Sequence, residues 1–474
     1  MRYTSLFPYA IVLCLLVLSC KEHERKNVLQ HTKPNVLIIN IDDMGWRDTS
    51  FTGSPFYETP NIDALSKKGM IFTNGYAAAA NCAPSRASLM TGQWTQRHGI
   101  LTVGNSERGE SVDRKLIPIV NKTTLSNSFL LLPEVFKDNG YTTCHAGKWH
   151  ISDDPRDKGF DINIGGSHAG HPNSYYPPYK NVDVKAVEGK RLTDVIMDST
   201  ISFVKNVQDP FFINYAPYAV HTPIQPVPTL VEKYRKKPVS PGQGNVDYAT
   251  MIENLDQNIG RLLKVLKKSG KLKNTLIVFT SDNGGLFAIS NQHPLRAGKG
   301  SYYEGGIRVP FFFVWEGKIK GNQKKDIPIS NLDIYPTLLE ITGITKPEAY
   351  TLDGHSLANM LLKNKELKEH PLFWHFPVYL QAVVAKNENR DSKFRTRPGS
   401  AVRYGKWKLH HYFEDDGIEL YDLENDIGER NNLAKTQPEK VNYLLEMLNE
   451  WRKKTNAPIP YESNAEYREQ LIHR

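Results

Sequence analysis

Cysteine is scarce: the 474 residues hold four, at positions 14, 20, 82 and 144. Paired disulfides would need those thiols to be available, so the count leaves little room for a disulfide framework. Thiolates and imidazoles are not clustered either, which argues against a zinc site. Beyond the first 20 residues no segment reaches 18 consecutive apolar residues, so nothing later in the chain reads as a transmembrane helix. Repeats and low-complexity tracts are absent, and with 39% hydrophobic residues there is ample material for a buried core, which excludes a disordered protein. One-sided charge is also lacking. Sixty Lys and Arg against 51 Asp and Glu leave +9, a mild excess that only hints at a polyanionic partner. No nucleic-acid partner is expected.

What is present begins at the N terminus. Arg2 precedes an apolar run from Ala10 to Leu18 that is shorter than the about 20 residues a bilayer span requires, so a cleaved signal is expected. Val17-Leu18-Ser19-Cys20 resembles a bacterial lipoprotein box, with Cys20 as the lipidated first residue. Residues 1–19 are therefore expected to be a lipoprotein signal and 20–33 a tether. The protein would sit in the bacterial cell envelope, at the outer membrane or cell surface, held by a lipid anchor.

Pro34 to Ile41 is an apolar, β-branched run without polar alternation, suited to a strand buried on both faces of a parallel sheet. Asp42 and Asp43 close it, where open α/β sheets place their ligand sites. The pattern recurs at Thr275–Thr280, followed by Ser281-Asp282-Asn283-Gly284-Gly285, and at Pro210–Tyr215, which leads to His221. Ile252, Leu255, Ile259, Leu262 and Leu266 predict a helix over Tyr248–Ser269. Strands alternating with helices predict a doubly wound α/β core. After about residue 365 the texture changes to short segments around 372–376, 400–403, 407–410 and 419–423, then an amphipathic stretch over Pro438–Lys454. Two parts are expected: a catalytic α/β domain over 34–365, and an α+β subdomain over 366–474 with a small antiparallel sheet and a covering helix.

The segment Cys82-Ala83-Pro84-Ser85-Arg86-Ala87-Ser88-Leu89-Met90-Thr91-Gly92 places a potentially nucleophilic thiol at the mouth of a helix, whose positive end favours anions, with Arg86 one turn on. Taken alone, such a cysteine is as compatible with a buried structural role. The run Cys-x-Pro-Ser-Arg with Met-Thr-Gly, together with Gly140-Tyr141-Thr142-Thr143-Cys144-His145-Ala146-Gly147-Lys148-Trp149-His150, resembles the two signatures of the formylglycine-dependent (type I) sulfatases. The resemblance runs from about Pro34 into the C-terminal tail. It implies the alkaline-phosphatase-like fold, a large mixed but mostly parallel sheet flanked by helices.

The same resemblance implies that a sulfatase-maturating enzyme oxidises Cys82 to Cα-formylglycine (3-oxoalanine), whose hydrated aldehyde is the nucleophile. Asp42, Asp43, Asp282 and Asn283, together with residue 82, match the positions that hold one Ca²⁺, and four hard oxygen donors suit that ion. Lys148, Lys299 and Arg86 would supply the positive field for the sulfate. Asp282 would assist attack on sulfur, and His221 with Lys299 would stabilise the departing alcohol. His150 would then deprotonate the second hydroxyl, expelling sulfate. The context of His221, Ala219-Val220-His221-Thr222-Pro223, departs from the family's commoner Pro-His-x-Pro form.

The expected substrate is a sulfated carbohydrate, algal galactan or ulvan being favoured. In the loop Gly165–Pro178, His168, His171 and Tyr175 are candidates for gripping a sugar. Arg395, Arg397 and Arg403 in the tail are candidates for contacting further anionic groups, and Arg397 is taken as a substrate-binding residue. Two rivals remain open: a phosphoester hydrolase of the same superfamily, and an inactive glycan-binding lipoprotein. With Cys14 lost in the signal, Cys20 acylated and Cys82 oxidised, only Cys144 would remain a thiol, and no intramolecular disulfide is expected.

Overall fold

Seven residues, Asn35–Ile41 (β1), form the centre of the molecule, each of them buried. The computed structural model describes residues 33–208, 210–381 and 388–469; the expected signal peptide, the acylated Cys20 and the tether apart from Lys33 lie outside the described residues. Seven further strands join β1: Met70–Phe72 (β2), Thr142–Gly147 (β3), Ile162–Ile164 (β4), Phe211–Ala216 (β5), Thr275–Ser281 (β6), Phe312–Val314 (β7) and Gln323–Lys325 (β8). The order is β4-β3-β5-β1-β6-β7-β2-β8. The run from β4 to β6 is parallel, and β7 pairs antiparallel with β6 and β2. This is the mixed, mostly parallel sheet that the resemblance implies; the apolar runs predict its parallel part, because strands without a polar face must be covered on both sides.

Alternation along β1 divides the core. Leu37, Ile39 and Ile41 pack into one apolar cluster, and Val36 and Ile38 into another on the opposite face. The helix Val246–Lys268 (α2) covers the first face with Ile252, Leu255, Ile259, Leu262 and Leu266. Its start is fixed by the Asn245 side chain, which accepts from Tyr248 N at 3.1 Å. A shorter helix, Cys82–Thr91 (α1), is buried along its whole length. No helix among the described residues is long and apolar enough to cross a membrane.

The C-terminal sheet comprises Leu372–Phe376 (β9), Gly399–Tyr404 (β10), Trp407–Tyr412 (β11) and Gly417–Asp422 (β12), all antiparallel in sequential order. Phe373, Val402, Leu409 and Leu420 face the helix Pro438–Thr455 (α3), where Phe373 and Trp451 stack at 4.7 Å. The other face presents Trp374, Ala401 and Tyr412 to Tyr76, Tyr302 and Ile307 of the larger part.

A buried ion cluster joins the two. Lys408 of β11, fully buried, contacts Glu304 and Glu429 at 2.9 Å each. Burial alone would raise the Glu304 carboxyl, but Lys408, Arg308 and Arg403 hold it down at about 2. Lys408→Met should cost about 3–5 kcal/mol, because it removes the one ammonium shared by two buried carboxylates and leaves Glu304 with Arg308 and Glu429 with His410 alone. Denaturant unfolding monitored by tryptophan fluorescence checks this, and an unchanged midpoint would contradict it.

Candidate active site

Strand register builds the site. Ile41 of β1 lies opposite Ser281 of β6, so Asp42-Asp43 and Asp282-Asn283 emerge side by side at the carboxyl end of the sheet. Asp282 N donates to Ile41 O at 3.0 Å, and Asp43 N to Asp282 Oδ1 at 3.2 Å. On the other flank Gly147 of β3 lies opposite Ala216 of β5, which delivers Lys148 and, after a turn, His221 to the same end.

Cys82 opens α1, directly after Asn81 in an extended conformation. Its Sγ lies 3.8 Å from Asp43 Oδ1. One turn on, Arg86 is tied down by Asp282 Oδ2 at 2.7 Å and the Lys148 carbonyl at 2.6 Å; its Nη2 is 3.7 Å from Asp42 and has no hydrogen-bond partner. Lys148 Nζ reaches both Asp42 oxygens at 2.8 and 2.9 Å. Lys299 Nζ reaches both Asp43 oxygens at 2.7 and 2.8 Å. His221 Nε2 is 3.5 Å from Asp43, while its Nδ1 is held by the Thr222 carbonyl at 2.8 Å. His150 is buried in a left-handed conformation (φ 71°), and its Nδ1 has no partner.

These charges set the protonation states. Burial disfavours a Cys82 thiolate, but Lys148 and Lys299 outweigh it and hold the thiol down at about 6. Burial raises Asp42 and Asp282, against the opposing pull of Lys148 and Arg86 respectively. Asp43 goes the other way: burial would raise it, and Lys299 and His221 overcome that. His150 is held well below the usual imidazole range by burial and by Lys148, Arg86 and Lys299, so it is neutral at pH 7. His221 is raised, because Asp43 outweighs the burial that would lower it.

The donor set fits a hard cation. Asn283 Nδ2 donates to Asp43 Oδ1 at 2.8 Å, while its Oδ1 is buried without any partner beside the carboxylates of Asp42, Asp43 and Asp282. Against the expectation of no such cluster, the Cys82 thiol and the His221 imidazole do lie with Asp42 and Asp43; an orphaned amide oxygen among three carboxylates nevertheless suits an oxygen-coordinated divalent ion.

One glycine sets the approach of Lys148. Gly147 has φ 106°, and a Cβ there would lie 2.1 Å from the Ala216 carbonyl oxygen. Gly147→Ala should cost about 1–3 kcal/mol in backbone strain and shift Lys148 from Asp42, lowering kcat with the melting temperature. Thermal unfolding and turnover on the same preparation check this; a wild-type value for both would contradict it.

The structure brings Cys82, Arg86, Lys148, His150, His221, Asp282, Lys299, Asp42, Asp43 and Asn283 to this end of the sheet. The four substrate candidates separate. His171 is exposed, stacks on His221 at 5.8 Å, and lines a cavity of about 530 Å³ with Thr222, Pro223 and Lys180. His168 lies 6.1 Å from His150 ring to ring and contacts the Thr123 carbonyl at 3.0 Å. Two expectations are corrected. Tyr175 is wholly buried and its hydroxyl donates to the Tyr218 and His221 carbonyls at 2.6 and 2.9 Å, so it braces the His221 turn and does not face a sugar. Arg397 is neutralised by Asp391 and by Glu414 at 2.6 Å, and lies over the Phe394 ring. Lys180, on the cavity rim, escaped sequence reasoning; its only signal was its place just after the Tyr-rich loop. Cys82 and Cys144 are both free thiols.

Comparison with known proteins bears on the same residues. A family model described as Sulfatase matches residues 34–344, and one described as the C-terminal region of N-sulphoglucosamine sulphohydrolase matches 298–455. The chain is 31% identical to a sulfatase of Formosa agariphila, over 96% of this chain and 95% of that protein. It is 30% identical to the N-acetylgalactosamine-6-sulfatase of Homo sapiens, over 72% of this chain and 68% of that one. A crystal structure of Ps i-CgsB in complex with k-i-k-neocarrahexaose superposes with a TM-score of 0.73 at 30% identity, covering 89% of this chain and 93% of the other.

Proposed function

Because the chain belongs to the sulfatase family and is a sulfuric ester hydrolase, we propose that it removes sulfate from a sulfated carbohydrate, with residue 82 matured to formylglycine and a Ca²⁺ ion beside it. The observation that carries this reading is the position of Cys82 at the start of a buried helix, 3.8 Å from Asp43 and within the field of Lys148 and Lys299. As formylglycine, residue 82 would supply a hydrated aldehyde as the attacking group. A divalent cation held by Asp42, Asp43, Asp282 and Asn283 would draw charge from a sulfate oxygen.

The chain's own side chains account for the rest. Lys148, Lys299 and Arg86 concentrate positive charge where the sulfate oxygens gather negative charge in the transition state. Arg86 also braces the site, since it holds Asp282 and the Lys148 carbonyl at once. His150, neutral and with a free Nδ1, can take a proton from the residue-82 side. His221, whose basicity Asp43 raises, can give one to the departing sugar oxygen. The neighbouring cavity beside His171, Thr222 and Lys180 would take part of the glycan.

The carbohydrate assignment is supported by the N-acetylgalactosamine-6-sulfatases and by the neocarrahexaose complex, each about 30% identical to this chain. An algal galactan is the favoured source. The N-terminal sequence supports a lipoprotein of the bacterial cell envelope, anchored through Cys20. A screen of defined sulfated oligosaccharides, scored by released inorganic sulfate, tests the proposal. Release from at least one sugar sulfate is expected; release from none would overturn it.

A further inference from the structure

Arg395 rests against the Lys299 loop without a counter-ion among the described residues. Its Nη1 donates to the Lys299 carbonyl at 3.1 Å. A Cβ on Gly300 (φ 84°) would lie 2.7 Å from its Nε, so the guanidinium arm is laid directly on that backbone. That Nε is buried and has no hydrogen-bond partner, and no carboxylate among the described residues forms an ion pair with the side chain. The contrast with Arg397, neutralised by Asp391 and Glu414, is two residues away.

A second cation bears on it. Arg108, half-buried and likewise without an ion-pair partner among the described residues, sits in a loop packed on the same wall. The Ser106 carbonyl of that loop accepts from Tyr379 N at 3.0 Å, and a Cβ on Gly109 would lie 2.6 Å from the Phe394 ring. Leu380–Gln381 pair in turn with Phe394–Thr396. Burial and the Arg108 charge together lower Arg395 to about 10, and its contact with the Lys299 carbonyl places the guanidinium beside the reacting centre. Two like charges brought together, both half-buried and one with an orphaned Nε, are costly unless an anion joins them.

We propose that Arg395 and Arg108 receive a second anionic group of the substrate, an ester sulfate or a carboxylate, on the sugar that carries the scissile sulfate or on its neighbour. The substrate class thereby narrows from sulfated carbohydrate to polyanionic carbohydrate. This rests on the desulfation reading above.

The test compares wild type, Arg395→Gln, Arg395→Lys and Arg108→Gln on three probes: a hexose monosulfate, a disaccharide with two ester sulfates, and a monosulfated disaccharide bearing a uronic carboxylate. Gln at 395 keeps the start of the side-chain arm and removes the charge. The expected result is a rise in KM on one or both doubly charged probes that exceeds the rise on the monosulfate by roughly 10- to 100-fold, the scale of a hydrogen bond to a charged group. Arg395→Lys should restore part of it, and which doubly charged probe responds identifies the anion. Equal losses on all three probes, falling on kcat, would assign Arg395 only to positioning Lys299 and overturn the proposal. A wild type that prefers the monosulfate would overturn it too. Should Arg395→Gln fail to fold, Arg108→Gln decides by the same criterion. Wild type releasing sulfate from no probe would overturn both this and the desulfation reading.

Discussion

Cys82→Ala is expected to lower kcat by about 10⁵-fold or more, the scale on which removing a catalytic nucleophile acts. The fold should tolerate the change. Cys82 heads a helix that is buried along its length, and among the described residues its thiol makes one polar contact, at 3.8 Å from Asp43. Substrate affinity should persist, because Lys148, Lys299 and Arg86 do not depend on the thiol for their positions: each is held by a carboxylate. Cys82→Ser separates chemistry from packing further. A serine has one hydroxyl where a hydrated aldehyde has two, so it is expected to release no more than about one product equivalent per enzyme. Rapid-quench measurement of alcohol release against enzyme concentration checks both variants. Sustained turnover by either one would contradict the role given to residue 82.

The second large effect is expected at Asp43. This carboxylate meets Lys299 at 2.7 and 2.8 Å, Asn283 at 2.8 Å, Cys82 at 3.8 Å and His221 at 3.5 Å, so it joins the proposed cation ligands to the proposed nucleophile and proton donor. Asp43→Asn keeps the shape and removes the charge. The loss weakens any hard cation held there, and it removes the partner that raises His221. Turnover should fall by about 10³-fold, with partial recovery as Ca²⁺ is raised. Chelation of the wild-type enzyme should reproduce most of that loss and Ca²⁺ should reverse it. His221 also responds: with its carboxylate partner gone, the acid proposed to protonate the leaving group should be lost at lower pH, so the alkaline limb of the rate profile moves down. A profile unmoved in the variant would contradict the assignment of His221.

Much of this was legible in the chain itself, for a physical reason. β1 and β6 are unbroken apolar runs, and such runs need cover on both faces, so their ends had to lie at the same edge of a parallel sheet. Asp42, Asp43, Asp282 and Asn283 follow those ends directly, so their meeting required no knowledge of distant contacts. The Cys82 and Lys148 motifs were legible through their resemblance to the two family signatures, since the residues around Cys82 taken alone fit a structural role as well. Tyr175 and Arg397 failed where locality ends. Whether a tyrosine hydroxyl faces solvent or two backbone carbonyls depends on the Tyr218–His221 turn, far along the chain. Whether an arginine is free depends on its carboxylates, and Glu414 reaches Arg397 from β11's far end loop rather than from a helical neighbour. Arg108 had no signal at all, since its relation to Arg395 exists only where the 106–109 loop meets the Phe394–Thr396 strand.

The most direct measurement compares kcat/KM for matched sulfate and phosphate esters of one sugar, with Cys82-matured enzyme in the presence of Ca²⁺. Preference for the sulfate ester, with inorganic sulfate released and the activity absent in Cys82→Ala, is the expected result. Preference for the phosphate ester, or sulfate release that survives Cys82→Ala, would contradict it.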